Sequence, residues 1–70
     1  MQEFTLEPLT ELRIETSVKC TLQLKSGFAE IFGTELSKNK DYTFPNGGKF
    51  AAFTWHGCTI TISFLKKKII

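Results

Sequence analysis

Val18-Lys19-Cys20-Thr21-Leu22-Gln23-Leu24-Lys25 is the stretch that decides the fold. Val18, Cys20, Leu22 and Leu24 are apolar, and Lys19, Thr21, Gln23 and Lys25 are polar. Successive side chains of a strand point to opposite faces, so this alternation describes a strand with one face buried and one in water. The same period continues upstream. Leu12 and Ile14 alternate with Glu11, Arg13 and Glu15, and Phe4 and Leu6 alternate with polar neighbours until Pro8, which cannot donate to a ladder.

Downstream, Ser26-Gly27 marks a turn and Phe28 to Phe32 a short apolar strand that Gly33 breaks. A polar connection, Ser37-Lys38-Asn39-Lys40-Asp41, leads to the short strand of Tyr42 and Phe44. Pro45-Asn46-Gly47-Gly48 is the strongest turn signal, because Asn-Gly and Gly-Gly accept positive φ at little cost. Lys49 to Trp55 reads as a strand that is apolar on both faces, and His56-Gly57 as a tight connection. In the last strand Cys58, Ile60, Ile62 and Phe64 oppose Thr59, Thr61 and Ser63. No window shows a helical period; the one place for a helix is a single turn near Gly33 to Leu36. The expected fold is all-β: a small antiparallel β-sandwich of about seven strands. Its expected core is Leu12, Ile14, Val18, Cys20, Leu22, Leu24, Phe28, Ile31, Phe53, Ile60 and Ile62. Residues 1–64 are expected to form the sandwich and residues 65–70 a basic and apolar tail.

Seventy residues allow one domain with a marginal core. The formal charge of +2 is carried by Lys66-Lys67-Lys68. The rest is nearly neutral, so the body lacks the basic patch that nucleic-acid binding ordinarily requires. The first six residues alternate as in a strand and do not read as a signal peptide. No run approaches a membrane span, and no membrane partner is expected. Without a secretory context, Cys20 and Cys58 read as buried free thiols.

Three arrangements invite a chemical reading. Gly47-Gly48-Lys49 matches the end of a phosphate-binding loop, but position 43 is Thr, position 50 is Phe, and a strand follows where a helix is needed. His56, Cys58 and Cys20 provide three candidate ligands of mixed facing, short of the four that structural zinc takes, so no metal site is expected. Phe28, Phe32, Tyr42, Phe44, Phe50, Phe53 and Trp55 suit base stacking on a single-strand binder, yet a core this small needs them for packing. No nucleophile–base pair is legible, and no catalytic residue is assigned.

Two longer strings carry more than periodicity. They are Ser26-Gly27-Phe28-Ala29-Glu30-Ile31-Phe32-Gly33-Thr34-Glu35-Leu36, and Tyr42-Thr43-Phe44 followed by Lys49 and Ala51-Ala52-Phe53-Thr54-Trp55-His56-Gly57-Cys58-Thr59-Ile60. With Phe4-Thr5-Leu6-Glu7 and Thr10-Glu11-Leu12-Arg13, they resemble the N-terminal domain of the eukaryotic Clp-family polyribonucleotide 5′-hydroxyl kinases, from about Phe4 to Ile62. The resemblance implies a β-sandwich that flanks the ATP site of a kinase domain and makes interdomain contacts. It implies a role in pre-mRNA 3′-end cleavage and polyadenylation and in tRNA processing, in the nucleus. Glu11 and Lys49 match the family positions that contact the nucleotide, ATP, with magnesium held only by the full-length protein. Implied partners are the kinase domain, other pre-mRNA cleavage factor subunits, and RNA through the full-length protein. For this chain alone neither kinase activity nor a bound cofactor is expected. As both residues open strands, they are expected near turns on a common rim. The alternative reading is a free-standing single-stranded nucleic-acid-binding or protein-interaction module.

Overall fold

The computed structural model describes residues 1–64; the expected tail at 65–70 lies outside the described residues. Eight strands follow in order: β1 (Gln2–Leu6), β2 (Thr10–Thr16), β3 (Cys20–Gly27), β4 (Glu30–Ile31), β5 (Thr34–Glu35), β6 (Tyr42–Phe44), β7 (Gly48–Thr54) and β8 (Cys58–Phe64). They form two antiparallel sheets, ordered β1-β8-β3-β6 and β2-β7-β4-β5. The all-β sandwich reading therefore holds, with eight strands in place of about seven.

The extra strand, β5, follows the Phe28 to Phe32 stretch. Ile31 pairs with Thr34, leaving Phe32 and Gly33 as a two-residue loop with φ of 52° and 75°. Two successive positive φ values are the mark of the tight hairpin turn whose twist suits antiparallel strands. The chain thus folds back on itself as β4 and β5, and Thr34–Glu35 is strand where a helical turn was the alternative.

Inward residues of both sheets make one core: Cys20, Leu22 and Leu24 of β3 and Cys58, Ile60 and Ile62 of β8 meet Ile14, Ile31, Phe50 and Ala52. The Phe44 and Phe50 rings stack across the two sheets, with centroids 4.0 Å apart. Most of the expected core is buried, while Leu12 and Val18 are only half-buried.

Two expected core residues lie elsewhere. Phe53 is half-buried and points outward, because β7 pairs with β2 as Ile14↔Phe50, Leu12↔Ala52 and Thr10↔Thr54. A one-residue slip would turn Phe53 inward, but it would also bring in Lys49. Phe28 is 55% exposed. Gly27, at φ 78°, ends β3 so close to the Gly57 carbonyl that a Cβ would collide with it. The chain swings there, and Ala29 enters the core instead of Phe28.

The two thiols are free and buried, and burial raises the pKa of both. They sit at opposite ends of the β3–β8 ladder, Cys20 opposite Phe64 and Cys58 opposite Gly27. No helix among the described residues is long and apolar enough to cross a membrane.

Candidate nucleotide-flanking face

The outer face of β2 and β7 carries the two residues expected to touch nucleotide. Phe50, Ala52 and Thr54 of β7 are buried, so Lys49, Ala51 and Phe53 face away from the core. On β2 the inward pair is Leu12 and Ile14, which leaves Glu11, Arg13 and Glu15 outward. Glu11, Arg13, Glu15, Lys49 and Ala51 contribute to the lining of an open groove of about 540 Å³.

Glu11 and Lys49 share that groove but not a rim. β2 and β7 run antiparallel, so residues that open the two strands stand at opposite ends of the ladder. Glu11 lies opposite Phe53, and Lys49 lies opposite Glu15. Four residues of strand rise separate the two positions, about 13 Å along the sheet. The expectation of a common rim is corrected by this pairing: the two positions stand toward opposite ends of one ladder, a spacing that suits a ligand lying along the groove.

Charges alternate along the face. The Glu11 carboxylate accepts a hydrogen bond from Arg13 Nε at 2.6 Å, in an ion pair exposed on both sides. Such a pair is held weakly in water and yields readily to a ligand. Lys49 stands directly across from Glu15. Arg13, midway along the groove, is a residue that the sequence reading passed over. The alternation of Leu12 and Ile14 was the signal that it shares a face with Glu11.

Among the described residues, this face forms no phosphate-binding loop. The Asn46-Gly47-Gly48 turn leads into β7, not into a helix whose amides would converge on an anion. The charged groups present are a carboxylate that can accept from an amino group, and an ammonium that can donate to a ring nitrogen or a phosphate oxygen.

The Thr54-Trp55-His56-Gly57-Cys58 string also acquires a structural meaning. Thr54 is fully buried, donates its hydroxyl to the Phe28 carbonyl at 2.6 Å and accepts the Gly57 N–H at 2.9 Å. This one side chain ties β7, the β7–β8 turn and the Phe28 segment together. His56 is exposed in that turn and packs edge-on to Phe28, with ring centroids 6.1 Å apart. Among the described residues, no three His, Cys, Asp or Glu side chains gather as a metal site.

The family model described as the N-terminal beta-sandwich domain of polyadenylation factor matches residues 5–69. The chain belongs to the Clp1 N-terminal β-sandwich family. Among its relatives, the polyribonucleotide 5′-hydroxyl-kinase Clp1 of Gallus gallus is 52% identical over 63 residues, which cover 87% of this chain and 15% of the relative. The Homo sapiens protein of the same name is 54% identical over the same coverage. A solved structure described as the extended interface between Pcf11p and Clp1p superposes with a TM-score of 0.80 at 26% identity, covering 90% of this chain and 15% of the solved one. The chain thus spans about 15% of the length of the Clp1 kinases it matches, and the likeness is to their N-terminal sandwich.

Proposed function

We propose that this Clp1-family sandwich flanks the nucleotide site of a polyribonucleotide 5′-hydroxyl kinase, with the outer face of β2 and β7 turned toward ATP. The observation that supports the reading is the shared groove: Glu11 and Lys49 line one open trough on one face. Their spacing gives them separate tasks. Glu11 accepts from the adenine amino group after exchanging Arg13 for the base. Lys49 donates to the nucleotide at the other end of the trough. The phosphates, the magnesium ion and the reacting hydroxyl are held by the part of a full-length kinase that lies beyond this domain. By itself the domain transfers no phosphate, since positioning of the phosphates supplies most of the catalysis.

Within a full-length kinase the domain serves RNA 5′-phosphorylation linked to pre-mRNA 3′-end cleavage and polyadenylation and to tRNA processing, in the nucleus. The solved Clp1p–Pcf11p interface supports a setting among cleavage factor subunits. The alternative of a free-standing RNA binder is less well supported. Phe53 lies between Glu11 and Glu30 in the strand register, with Glu35 beyond, so phosphate would meet carboxylates beside the ring.

The test is calorimetric titration of ATP into a full-length relative carrying Glu→Ala at the position matching Glu11, Lys→Ala at that matching Lys49, or both. Each single change should weaken binding by about 1–3 kcal/mol. Because the residues engage different parts of the ligand, the double change should equal the sum within about 0.5 kcal/mol. Unchanged affinity in both single variants would remove the nucleotide reading. Strong non-additivity would return both residues to a single contact.

A further inference from the structure

A second cavity lies on the same outer face, across Phe53 from Glu11. It measures about 250 Å³, is open to solvent, and is lined by Phe28, Ala29, Glu30, Glu35, Trp55 and His56. Its walls combine two features that are costly without an occupant. Trp55 is 59% exposed and Phe28 55%, although both are large and apolar. Glu30 and Glu35 stand directly opposite each other on β4 and β5, and like charges at that spacing repel. Among the described residues neither carboxylate has a cationic partner within ion-pair distance.

The walls are also held in place. The Thr54 hydroxyl bonds fix the Phe28 carbonyl and the Gly57 amide, bracketing Trp55 and His56. The Phe53 ring supports Trp55 edge-on at 5.0 Å between centroids. Lys38 lies 6.0 Å from the Phe28 centroid but does not line the cavity, so the Trp55 side remains open to another cation.

The chemistry of the walls selects the occupant. An anion is repelled by Glu30 and Glu35. An apolar side chain would desolvate both carboxylates without pairing them. A guanidinium satisfies each wall at once: its plane stacks on the indole, and its fork donates two parallel N–H bonds to a carboxylate. We propose that this cavity is a docking pocket for an arginine side chain presented by a partner protein. The pocket is independent of the nucleotide reading, since it shares no side chain with the Glu11–Lys49 groove.

The full 70-residue chain is titrated with the capped tripeptide acetyl-Gly-Arg-Gly-amide, and with its citrulline and lysine counterparts. Trp55 emission and backbone amide NMR shifts are followed. The arginine peptide should give saturable shifts at Phe28, Glu30, Glu35, Trp55 and His56 with a millimolar dissociation constant. The citrulline peptide, similar in shape but uncharged, should bind at least about tenfold more weakly, the usual scale of a charge-assisted pair. The lysine peptide should fall between the two, because an ammonium cannot fork or stack as a plane. Glu35→Gln and Trp55→Ala should each weaken arginine binding by about five- to tenfold. Absence of saturation, equal binding of the citrulline peptide, or shifts confined to Glu15 and Lys49 would overturn the proposal. Arg13 is the only arginine in the chain. Dimerisation by sedimentation that Arg13→Ala abolishes would overturn it too, in favour of a second copy as the occupant.

Discussion

On the sheet β1-β8-β3-β6 the outward residues include Thr5, Thr59, Thr61, Ser63, Thr21 and Thr43, with Gln23 and Glu3 among them. On β2-β7-β4-β5 they include Glu11, Arg13, Glu15, Lys49, Ala51, Phe53, Glu30 and Glu35. The first face is a wall of small hydroxyls, packed closely enough that Thr61 is buried and the Thr21 and Thr43 hydroxyls meet at 3.3 Å. The second has alternating charges and two concavities beside the exposed Phe28 and Trp55, against one concavity of about 220 Å³ on the first. The inner faces reverse the contrast. β3 and β8 supply Leu22, Leu24, Ile60 and Ile62, all essentially inaccessible, while the matching centre of β7 is Ala52. One sheet carries much of the core volume behind an exterior of small hydroxyls. The other frees large side chains for the surface, where they wall two concavities. The lesson is that apolar composition does not say which sheet holds the molecule together.

This division of labour can be broken most directly at Leu22. Leu22→Ala should cost about 2–5 kcal/mol, enough to unfold much of so small a domain, as read by urea denaturation. Phe53→Ala removes a larger side chain from the other sheet, yet should cost less, because the ring already lies half in solvent. Equal losses would erase the distinction between a supporting and a working sheet.

Thr54→Val comes next. It keeps the shape but strands the Phe28 carbonyl and the Gly57 amide, for a loss of about 1–3 kcal/mol. Because those two groups anchor the cavity wall, Trp55 emission should shift in the folded variant. A loss of stability with unchanged emission would show that Thr54 supports the core alone.

Glu35→Gln tests the working face in the opposite direction. Removing one of two facing carboxylates should stabilise the domain by about 0.2–1 kcal/mol, and the gain should shrink in high salt. A loss would mean that Glu35 is already paired in the free domain.

The smallest effect belongs to the buried thiols of the supporting sheet. Burial raises their pKa in the folded state, so the unfolded chain ionises first as pH rises. Their contribution to stability is fully present below the ordinary thiol pKa and is lost as pH rises through the raised value. Cys20→Ala should therefore flatten the alkaline loss of stability in urea titrations between neutral pH and about pH 10. An unchanged pH profile would show that other groups control it.

The same contrast explains what was legible. Cys20 to Lys25 and Cys58 to Ile62 alternate cleanly, because one face of that sheet meets the core and the other faces mainly outward. The burial of Cys20, Leu22, Leu24, Cys58, Ile60 and Ile62 could be read directly, whereas Thr61 is buried on the outer face and Phe64 is exposed. Lys49 to Trp55 has apolar residues in both phases, and either assignment of faces satisfies the pattern. Only pairing with β2, together with the two hydrogen bonds that reward an inward Thr54, sends Phe53 outward. Phe28 was misplaced for a related reason: the collision that requires glycine at position 27 comes from Gly57, thirty residues away in sequence.

The sequence by itself determined the all-β class, most of the core of β3 and β8, and the family, because these follow from local alternation and from strings of adjacent residues. Tertiary structure alone decided the hairpin at Phe32-Gly33, the outward turn of Phe28 and Phe53, and the relation between Glu11 and Lys49. Both residues open strands, and nothing local distinguishes sharing a rim from standing at opposite ends. The antiparallel register of β2 and β7 separates them along one groove. The same sheet brings Glu30, Glu35 and Trp55 around one cavity, because hydrogen bonds between strands set distances that chain order does not encode.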